Sequence, residues 1–181
     1  MKFPAMHLVV MGVAGAGKST IAGALSRDLG WDMAEADQFH PESNIAKMNA
    51  GTPLQDEDRW PWLQSIRDWM TAQAAEGKST VLTCSALKHS YRQLLSEAEG
   101  TVVFIHLDGD PALLGERMRG REGHFMPVTL LPSQLATLEP LTPEELAAGS
   151  LRLDITRTPE DLVQAIKAAL HLPAGQAPCT S

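Results

Sequence analysis

Short apolar runs alternate with segments of helical period along this chain, and the alternation predicts βα units around a parallel sheet. The predicted strands lie at His7–Met11, Met33–Ala36, Thr80–Cys84, Val102–Leu107 and Leu151–Ile155. Helices are predicted over residues 18–29, 41–50, 56–75, 87–98, from Pro111 onward, 130–138 and 159–170. We therefore expect an α/β fold, with a parallel five-stranded sheet flanked by helices.

The composition is that of an ordinary globular protein and favours one domain. The chain has 181 residues, of which 44% are apolar and 20% charged. We expect a single domain over residues 1–171 and a frayed tail at 172–181, which is rich in proline, alanine and glycine.

Charge and cysteine content exclude several function classes. The net charge of −7 argues against general nucleic-acid binding. The stretch from Met6 to Gly17 is too short and too rich in glycine to cross a bilayer, so we expect no membrane contact and a cytoplasmic location. Cys84 and Cys179 lie far apart, which favours neither a disulfide framework nor a zinc site.

A phosphate-binding motif follows the first predicted strand. The motif G-x-x-x-x-G-K-[ST] is formed by Gly12, Val13, Ala14, Gly15, Ala16, Gly17, Lys18 and Ser19, with Thr20 next in the following helix. Glycines let successive main-chain N–H groups converge on phosphate oxygens, and the helix adds its positive end. Lys18 is expected to reach the β- and γ-phosphates of ATP, and Ser19 to offer its hydroxyl to Mg²⁺.

The remaining motifs favour a small kinase over other nucleotide-binding proteins. A GTPase needs an Asn-Lys-x-Asp segment to bind guanine, and the chain lacks one. Large ATP-driven motors end a strand in a metal-binding aspartate, whereas the third predicted strand here runs into Thr83 and Cys84. A kinase whose acidic groups lie elsewhere explains both absences.

Glu35 and Asp37 are the candidate acidic groups. They lie two residues apart at the carboxyl end of the second predicted strand, and ligands bind at that edge of open α/β sheets. Asp37 is placed to accept the proton of an attacking hydroxyl, and either carboxylate is a candidate Mg²⁺ ligand, directly or through water. For Glu35, a solvated acid without function is an equal alternative.

The blocks that follow resemble the gluconokinase family of P-loop sugar-acid kinases. They read His40-Pro41, Asn44-Ile45-x-Lys47-Met48, Gly51-x-Pro53-Leu54, Asp56-Glu57-Asp58-Arg59, Pro61-Trp62-Leu63, Cys84-Ser85-Ala86-Leu87-Lys88-x-x-Tyr91-Arg92, Gly123-His124-Phe125-Met126-Pro127 and Ser133-Gln134. The resemblance covers about residues 8–141, although Glu35-Ala36-Asp37 stands where the family has Asp-Gly-Asp. It implies a nucleoside-monophosphate-kinase-like fold, ATP with Mg²⁺, transfer to the 6-hydroxyl of gluconate, and a homodimer.

A sugar acid carries a carboxylate, for which arginine is the suitable partner because its fork bonds both oxygens. Arg59 and Arg92 follow the second and third predicted strands, with Lys88 as a weaker partner. His40 is placed either to bond a substrate hydroxyl or to stabilise the turn before Pro41. The resemblance adds Lys47, Ser85 and His124 to the expected substrate-binding residues.

A mobile lid is predicted at about residues 117–127. The segment holds Arg117, Arg119 and Arg121 with glycines between and after them, as in the lids of small kinases. Arg121 is expected to offset transition-state charge, and Arg117 with Arg157 to flank the nucleotide. Two alternatives stay open: a kinase for shikimate, another hydroxy-acid or a nucleoside monophosphate, and a nucleotide-binding regulatory module without turnover.

Overall fold

The structure, a computed structural model, describes residues 5–13, 15–119 and 131–172. Its strands are β1 (Met6–Met11), β2 (Asp32–Glu35), β3 (Thr80–Thr83), β4 (Thr101–Asp108) and β5 (Leu151–Asp154). Its α-helices are α1 (Lys18–Leu29), α2 (Glu42–Asn49), α3 (Asp56–Ala75), α4 (His89–Leu95), α5 (Pro111–Arg119), α6 (Leu131–Thr137), α7 (Pro143–Ala147) and α8 (Pro159–Ala169). A 3-10 turn at Ala36–Phe39 follows β2.

The strands form one sheet in the order β2-β3-β1-β4-β5, and every neighbouring pair is parallel. This confirms the predicted parallel five-stranded sheet. Strand β1 lies in the centre, where its residues from Leu8 to Met11 are completely buried. Its carboxyl end therefore opens between the ends of β3 and β4, at the sheet edge where ligands bind in such folds.

Helices cover both faces of the sheet, because the strand residues alternate between two apolar cores. One core joins β1, β4 and β5 to α1, α5 and α8, with Leu25 and Ile166 among its buried residues. The other joins the opposite strand faces to α3 and α4 through Trp62, Ile66 and Leu95.

Two local predictions differ from the structure. Strand β2 ends at Glu35, so Asp37 lies in the 3-10 turn and not on the strand as expected. Glu35 caps this turn: its side chain accepts from the main-chain N–H of Gln38, and its own N–H donates to the Gln38 side chain over 3.2 Å. Helix α7 was not predicted, although Thr142 and Glu145 form a capping box at its start.

The predicted lid and tail fall largely outside the described residues. Of residues 117–127, the structure describes only the start, where α5 ends at Arg119. Across the described parts of the chain, no helix has the length and apolar character needed to cross a membrane.

Candidate active site

The phosphate loop leaves β1 and enters α1 at the centre of the sheet edge. Gly12 has a φ of 148°, and a Cβ at this position would lie 2.9 Å from the carbonyl oxygen of Leu107. Gly15 and Gly17 also have positive φ angles, 84° and 94°. These conformations require glycine, and they allow the main chain to curve around a phosphate. Ala14 lies outside the described residues.

Lys18 begins α1 and turns back over the loop. Its Nζ donates to the carbonyl oxygens of Gly12, at 2.8 Å, and Val13, at 3.2 Å. The ammonium group is thus held over the centre of the phosphate loop, where a β- or γ-phosphate would replace the carbonyl contacts.

A groove lies on one side of the phosphate loop. Arg117 donates from Nη2 to the carbonyl oxygen of Ile155, at 2.8 Å, which fixes α5 beside the β5–α8 connection. The groove is lined by Ala16, Gly17, Thr20, Ile21, Arg117, Ile155, Arg157, Pro159 and Leu162. The structure therefore brings Thr20, Arg117 and Arg157 together, as expected for a nucleotide site.

Oxygen groups suited to Mg²⁺ meet on the other side of the loop. The hydroxyl of Ser19 donates to Oε1 of Glu35 over 2.8 Å. Among the described residues, no three His, Cys, Asp or Glu side chains converge on one metal position. A hydroxyl and one or two carboxylates nevertheless fit Mg²⁺, which keeps several waters and takes other oxygens from substrate phosphates.

Asp37 lines two adjoining pockets. The first, the phosphate pocket, is lined by Lys18, Ser19, Glu35, Ala36, Asp37, Trp62, Thr83, Cys84, Ser85 and Gln134. The second, the acceptor pocket, is lined by Asp37, His40, Met48, Leu54, Arg59, Trp62, Ser85, Leu87, Tyr91, Ser133, Gln134 and Thr137. A carboxylate shared by both pockets can contact a group that passes from one to the other.

His40 forms part of the acceptor pocket and packs flat against Trp62. The two ring centroids are 4.3 Å apart with an interplanar angle of 14°. Trp62 is itself fixed, because its Nε1 donates to the carbonyl oxygen of Ala36 over 2.7 Å. Burial lowers the pKa of His40; Asp37 opposes this effect and Arg59 adds to it. The imidazole is therefore biased toward its neutral form.

Arg59, Lys88 and Tyr91 converge on the carboxylate of Asp56. Tyr91 donates its hydroxyl to Asp56 over 2.5 Å, and Lys88 lies 3.2 Å from both carboxylate oxygens. Arg59 donates from Nη1 to the Tyr91 hydroxyl, at 3.2 Å, and lies 3.5 Å from Asp56. The bonds from Tyr91 and Lys88 hold the pKa of Asp56 below its ordinary value. The Asp56 carboxylate thus faces two cations, and one of them, Arg59, also lines the acceptor pocket together with Asp37.

The structure corrects the expected substrate role of Arg92. Its side chain is 1% exposed and lies outside the acceptor pocket. Nε and Nη2 bond both carboxylate oxygens of Glu145, at 2.7 and 3.1 Å. The same guanidinium donates to the carbonyl oxygens of Ala86 and Pro140, at 2.8 and 3.2 Å. Because these donors are already used within the protein, Arg92 holds chain segments together and does not face a substrate.

Four of the other expected substrate residues line the acceptor pocket, and the remaining two that the structure describes do not. Asp37, His40, Arg59 and Ser85 line the acceptor pocket, whereas Lys88 reaches it only through Tyr91 and Asp56. Lys47 lies on α2 and pairs with Asp58 over 2.7 Å, away from the pocket wall. The expected residues Arg121 and His124 lie outside the described residues.

Several pocket residues were not singled out from the sequence. Asp56, Tyr91, Gln134 and Thr137 line the pocket or hold its cations. Asp56, Tyr91 and Gln134 stand in the blocks that carry the family resemblance, and that was the available signal. Trp62 packs inside the protein and also presents its ring to His40.

Cys84 is not a nucleophile in this site. Its thiol is buried, and burial raises its pKa to about 12, so it stays protonated at neutral pH.

Comparisons with known proteins agree with this geometry. Residues 8–141 match the family described as an AAA domain. A gluconokinase from Gluconobacter oxydans (strain 621H) is 52% identical over 132 residues, which cover 73% of this chain and 74% of that protein. The unliganded crystal structure of a sugar kinase from Janibacter sp. HTCC2649 is 51% identical, with a TM-score of 0.86 over 93% of this chain and 96% of that one. A gluconokinase structure from Sinorhizobium meliloti 1021 is 41% identical, with a TM-score of 0.79 over 94% of both chains.

A phosphate loop after the central strand of a parallel sheet, with a second pocket beside it, defines a P-loop kinase. Relatives of high identity within that class are gluconokinases, and the chain belongs to the gluconokinase family.

Proposed function

We propose that this protein transfers the γ-phosphoryl group of ATP to the 6-hydroxyl of D-gluconate, giving 6-phospho-D-gluconate and ADP. The proposal rests above all on Asp37, whose carboxylate lines both the phosphate pocket and the acceptor pocket. Because ATP is the phosphoryl donor, we place the reaction in the cytoplasm.

Asp37 is the proposed catalytic base. It accepts the proton of the acceptor hydroxyl while that oxygen bonds to the γ-phosphorus and the bond to ADP breaks. The transition state is loose, so the position of the carboxylate matters more than its basicity. Its side chain is 78% exposed, which leaves it free to meet an entering hydroxyl.

The phosphate groups of ATP are held by the loop between β1 and α1. Main-chain N–H groups of the loop and the Lys18 ammonium bind the phosphate oxygens. Ser19 and Glu35 would hold Mg²⁺, which would offset the negative charge of the phosphate groups.

The carboxylate of gluconate is proposed to bind beside Arg59. Arg59 is 30% exposed and is the one cationic side chain among the described residues that line the acceptor pocket. A sugar acid carries one carboxylate, and the guanidinium of Arg59 can bind both of its oxygens.

A coupled ADP-release screen tests the function. The acceptors are gluconate, shikimate, other sugar acids, nucleoside monophosphates and glucitol, which keeps the hydroxyls of gluconate but has no carboxylate. We expect gluconate to give the highest kcat/KM and glucitol a value at least tenfold lower, since a charged hydrogen bond contributes about 1.5–3 kcal/mol. The Lys18→Ala variant is the control and should abolish ADP release.

Each other outcome has its own meaning. Faster turnover of shikimate or a nucleotide would show that gluconate is not the preferred acceptor, while the proposed kinase activity would stand. A folded, ATP-binding protein that releases no ADP with any acceptor would instead indicate a regulatory module.

A further inference from the structure

His40 is held on three sides within the acceptor pocket. Its side chain is 5% exposed, its face is stacked on Trp62, and Nε2 lies 3.9 Å from Oδ1 of Asp37. The second ring nitrogen, Nδ1, points away from the pocket and lies 3.3 Å from the side-chain amide nitrogen of Asn44.

The partners of Asn44 determine which nitrogen of His40 carries the proton. Asn44 is 2% exposed, and its amide nitrogen donates to the main-chain carbonyl oxygen of Asp58 over 2.8 Å. A carbonyl oxygen can only accept, so the atom facing it must be the NH₂ group and not the amide oxygen. The second hydrogen of that NH₂ group is then directed at Nδ1 of His40, which must accept it with a lone pair.

We propose that Asn44 is a positioning residue that fixes neutral His40 in the tautomer with its proton on Nε2, and that this N–H donates into the acceptor pocket beside Asp37. The tautomer follows from the contacts of Asn44 alone. The role in catalysis rests on the proposed function.

The tautomer matters because Nε2 faces the carboxylate of Asp37. A carboxylate that takes a proton from a hydroxyl needs that hydroxyl held in place, and an Nε2–H group beside Asp37 can donate to the hydroxyl oxygen. In the alternative tautomer, Nε2 would present a lone pair toward the Asp37 carboxylate. It could then accept a hydrogen bond but could not donate one to the hydroxyl oxygen. Asn44 would thus act on phosphoryl transfer through His40, without touching substrate itself.

Nitrogen NMR of the protein without ligands tests the tautomer directly. In ¹⁵N-histidine-labelled protein at neutral pH, long-range ¹H–¹⁵N correlations show which ring nitrogen is protonated, and the His40→Gln spectrum assigns the His40 signals. We expect Nε2 to be protonated and Nδ1 not. A proton on Nδ1, or on both nitrogens, would overturn the proposal, whatever the acceptor proves to be.

The Asn44→Leu variant tests the consequence. It removes the donor to Nδ1, so we expect a mixture of the two tautomers in the NMR spectrum. We also expect kcat/KM for gluconate to fall roughly tenfold, the upper range for one hydrogen bond, while KM for ATP is unchanged. The matched control is Asn49→Leu, the same change at an exposed position of α2.

The two readouts separate positioning from a structural role. An altered tautomer with unchanged gluconate kinetics would overturn the catalytic part, and an unchanged tautomer in a folded Asn44→Leu protein would overturn the assignment. If the variant does not fold, the wild-type spectrum still decides the tautomer, and His40→Gln against His40→Asn decides the role. Gln places an N–H near Nε2 and should retain more activity than Asn, so equal activities would contradict the proposal.

Discussion

Asp37 lines both the phosphate pocket and the acceptor pocket and is the carboxylate that they share. It lies in a 3-10 turn and not on a strand, and its exposed carboxylate makes few contacts that a substrate would have to displace. Its contribution to folding should therefore be small and its contribution to catalysis large.

Asp37→Asn should lower kcat by about 10²-fold or more, because the amide keeps the shape of the side chain but cannot accept the hydroxyl proton. The urea midpoint should change little, since the side chain is 78% exposed. Steady-state kinetics across a Mg²⁺ titration check this prediction. Recovery of the rate at high Mg²⁺ would indicate a role through the metal instead.

The control for this prediction is Asp32→Asn, the same change at the exposed far end of β2. It should have the kcat of the wild type. If Asp37→Asn matched it, Asp37 would be a solvated acid without a catalytic role.

Arg59 and Arg92 show how far single residues could be predicted from the sequence. Both arginines lie in segments that follow a strand and hold other candidate residues. The local sequence therefore does not show which of the two binds a substrate. The two differ because Arg92 pairs with Glu145, which lies 53 residues later in the chain. The sequence around Arg92 does not indicate this distant partner. The phosphate loop, in contrast, is a contiguous motif and could be recognised directly.

At the scale of elements, the turn after β3 connects the two pockets. The main-chain N–H of Gly12 donates to the carbonyl oxygen of Ser85 over 3.3 Å, so the phosphate loop rests on this turn. Ala86 follows with a φ of 46°, which is unfavourable for a residue with a Cβ. Arg92 holds it there by donating to its carbonyl oxygen.

Arg92→Met should destabilise the protein by about 3–5 kcal/mol, because it removes the guanidinium that bonds both oxygens of the largely buried Glu145 carboxylate. Equilibrium urea unfolding measures the loss. The control is Arg67→Met, which removes an exposed pair with Glu97 and should change the free energy of unfolding little. A loss at Arg92 no larger than that of the control would contradict the importance of this network.

The elements themselves were largely predictable, because period and capping are local properties. All five strands and the helices that cover them were expected from apolar spacing. The missed helix α7 does carry a local signal, Thr142 and Glu145 at capping-box spacing, but it spans only five residues. Such a short helix depends on tertiary contacts such as the Arg92–Glu145 pair for its stability.

At the scale of the whole molecule, strand order could not be deduced from the pattern. Apolar runs identify strands but do not say that β3 lies between β2 and β1. That order places the ends of β1, β2 and β3 side by side, which brings the phosphate loop, Asp37 and Ser85 around the shared pockets.

Three buried histidines make the stability of the whole molecule depend on pH. Burial lowers the pKa of His7, His40 and His106 below the ordinary value of 6.5. For His7 the carbonyl oxygen of Glu99 opposes this effect; for His106 Asp108 opposes it, and Arg152 and Arg92 add to it. The Nδ1 atom of His106 also lacks a hydrogen-bond partner among the described residues. Charging any of these rings inside the protein is therefore unfavourable.

The sign of the effect follows from proton linkage. As pH falls through 6.5, the unfolded chain takes up protons on these histidines before the folded protein does, so protons favour unfolding. The free energy of unfolding should accordingly decrease between pH 7.5 and pH 5.5. Carboxylates with lowered pKa values lose their stabilising effect as the pH approaches and falls below their ordinary pKa, which is 3.8 for Asp56 and 4.5 for Glu145, so most of that loss lies below this range.

Urea unfolding at several pH values from 7.5 to 5.5 measures the slope, and His106→Leu should flatten it by removing one of the three groups. His171→Asn serves as the control at an exposed position with a φ of 54°, a conformation that asparagine tolerates. The control should keep the wild-type slope. A free energy of unfolding that stays constant or rises as the pH falls to 5.5 would mean that the buried imidazoles are charged in the folded protein, contrary to the effect of their burial on their pKa values.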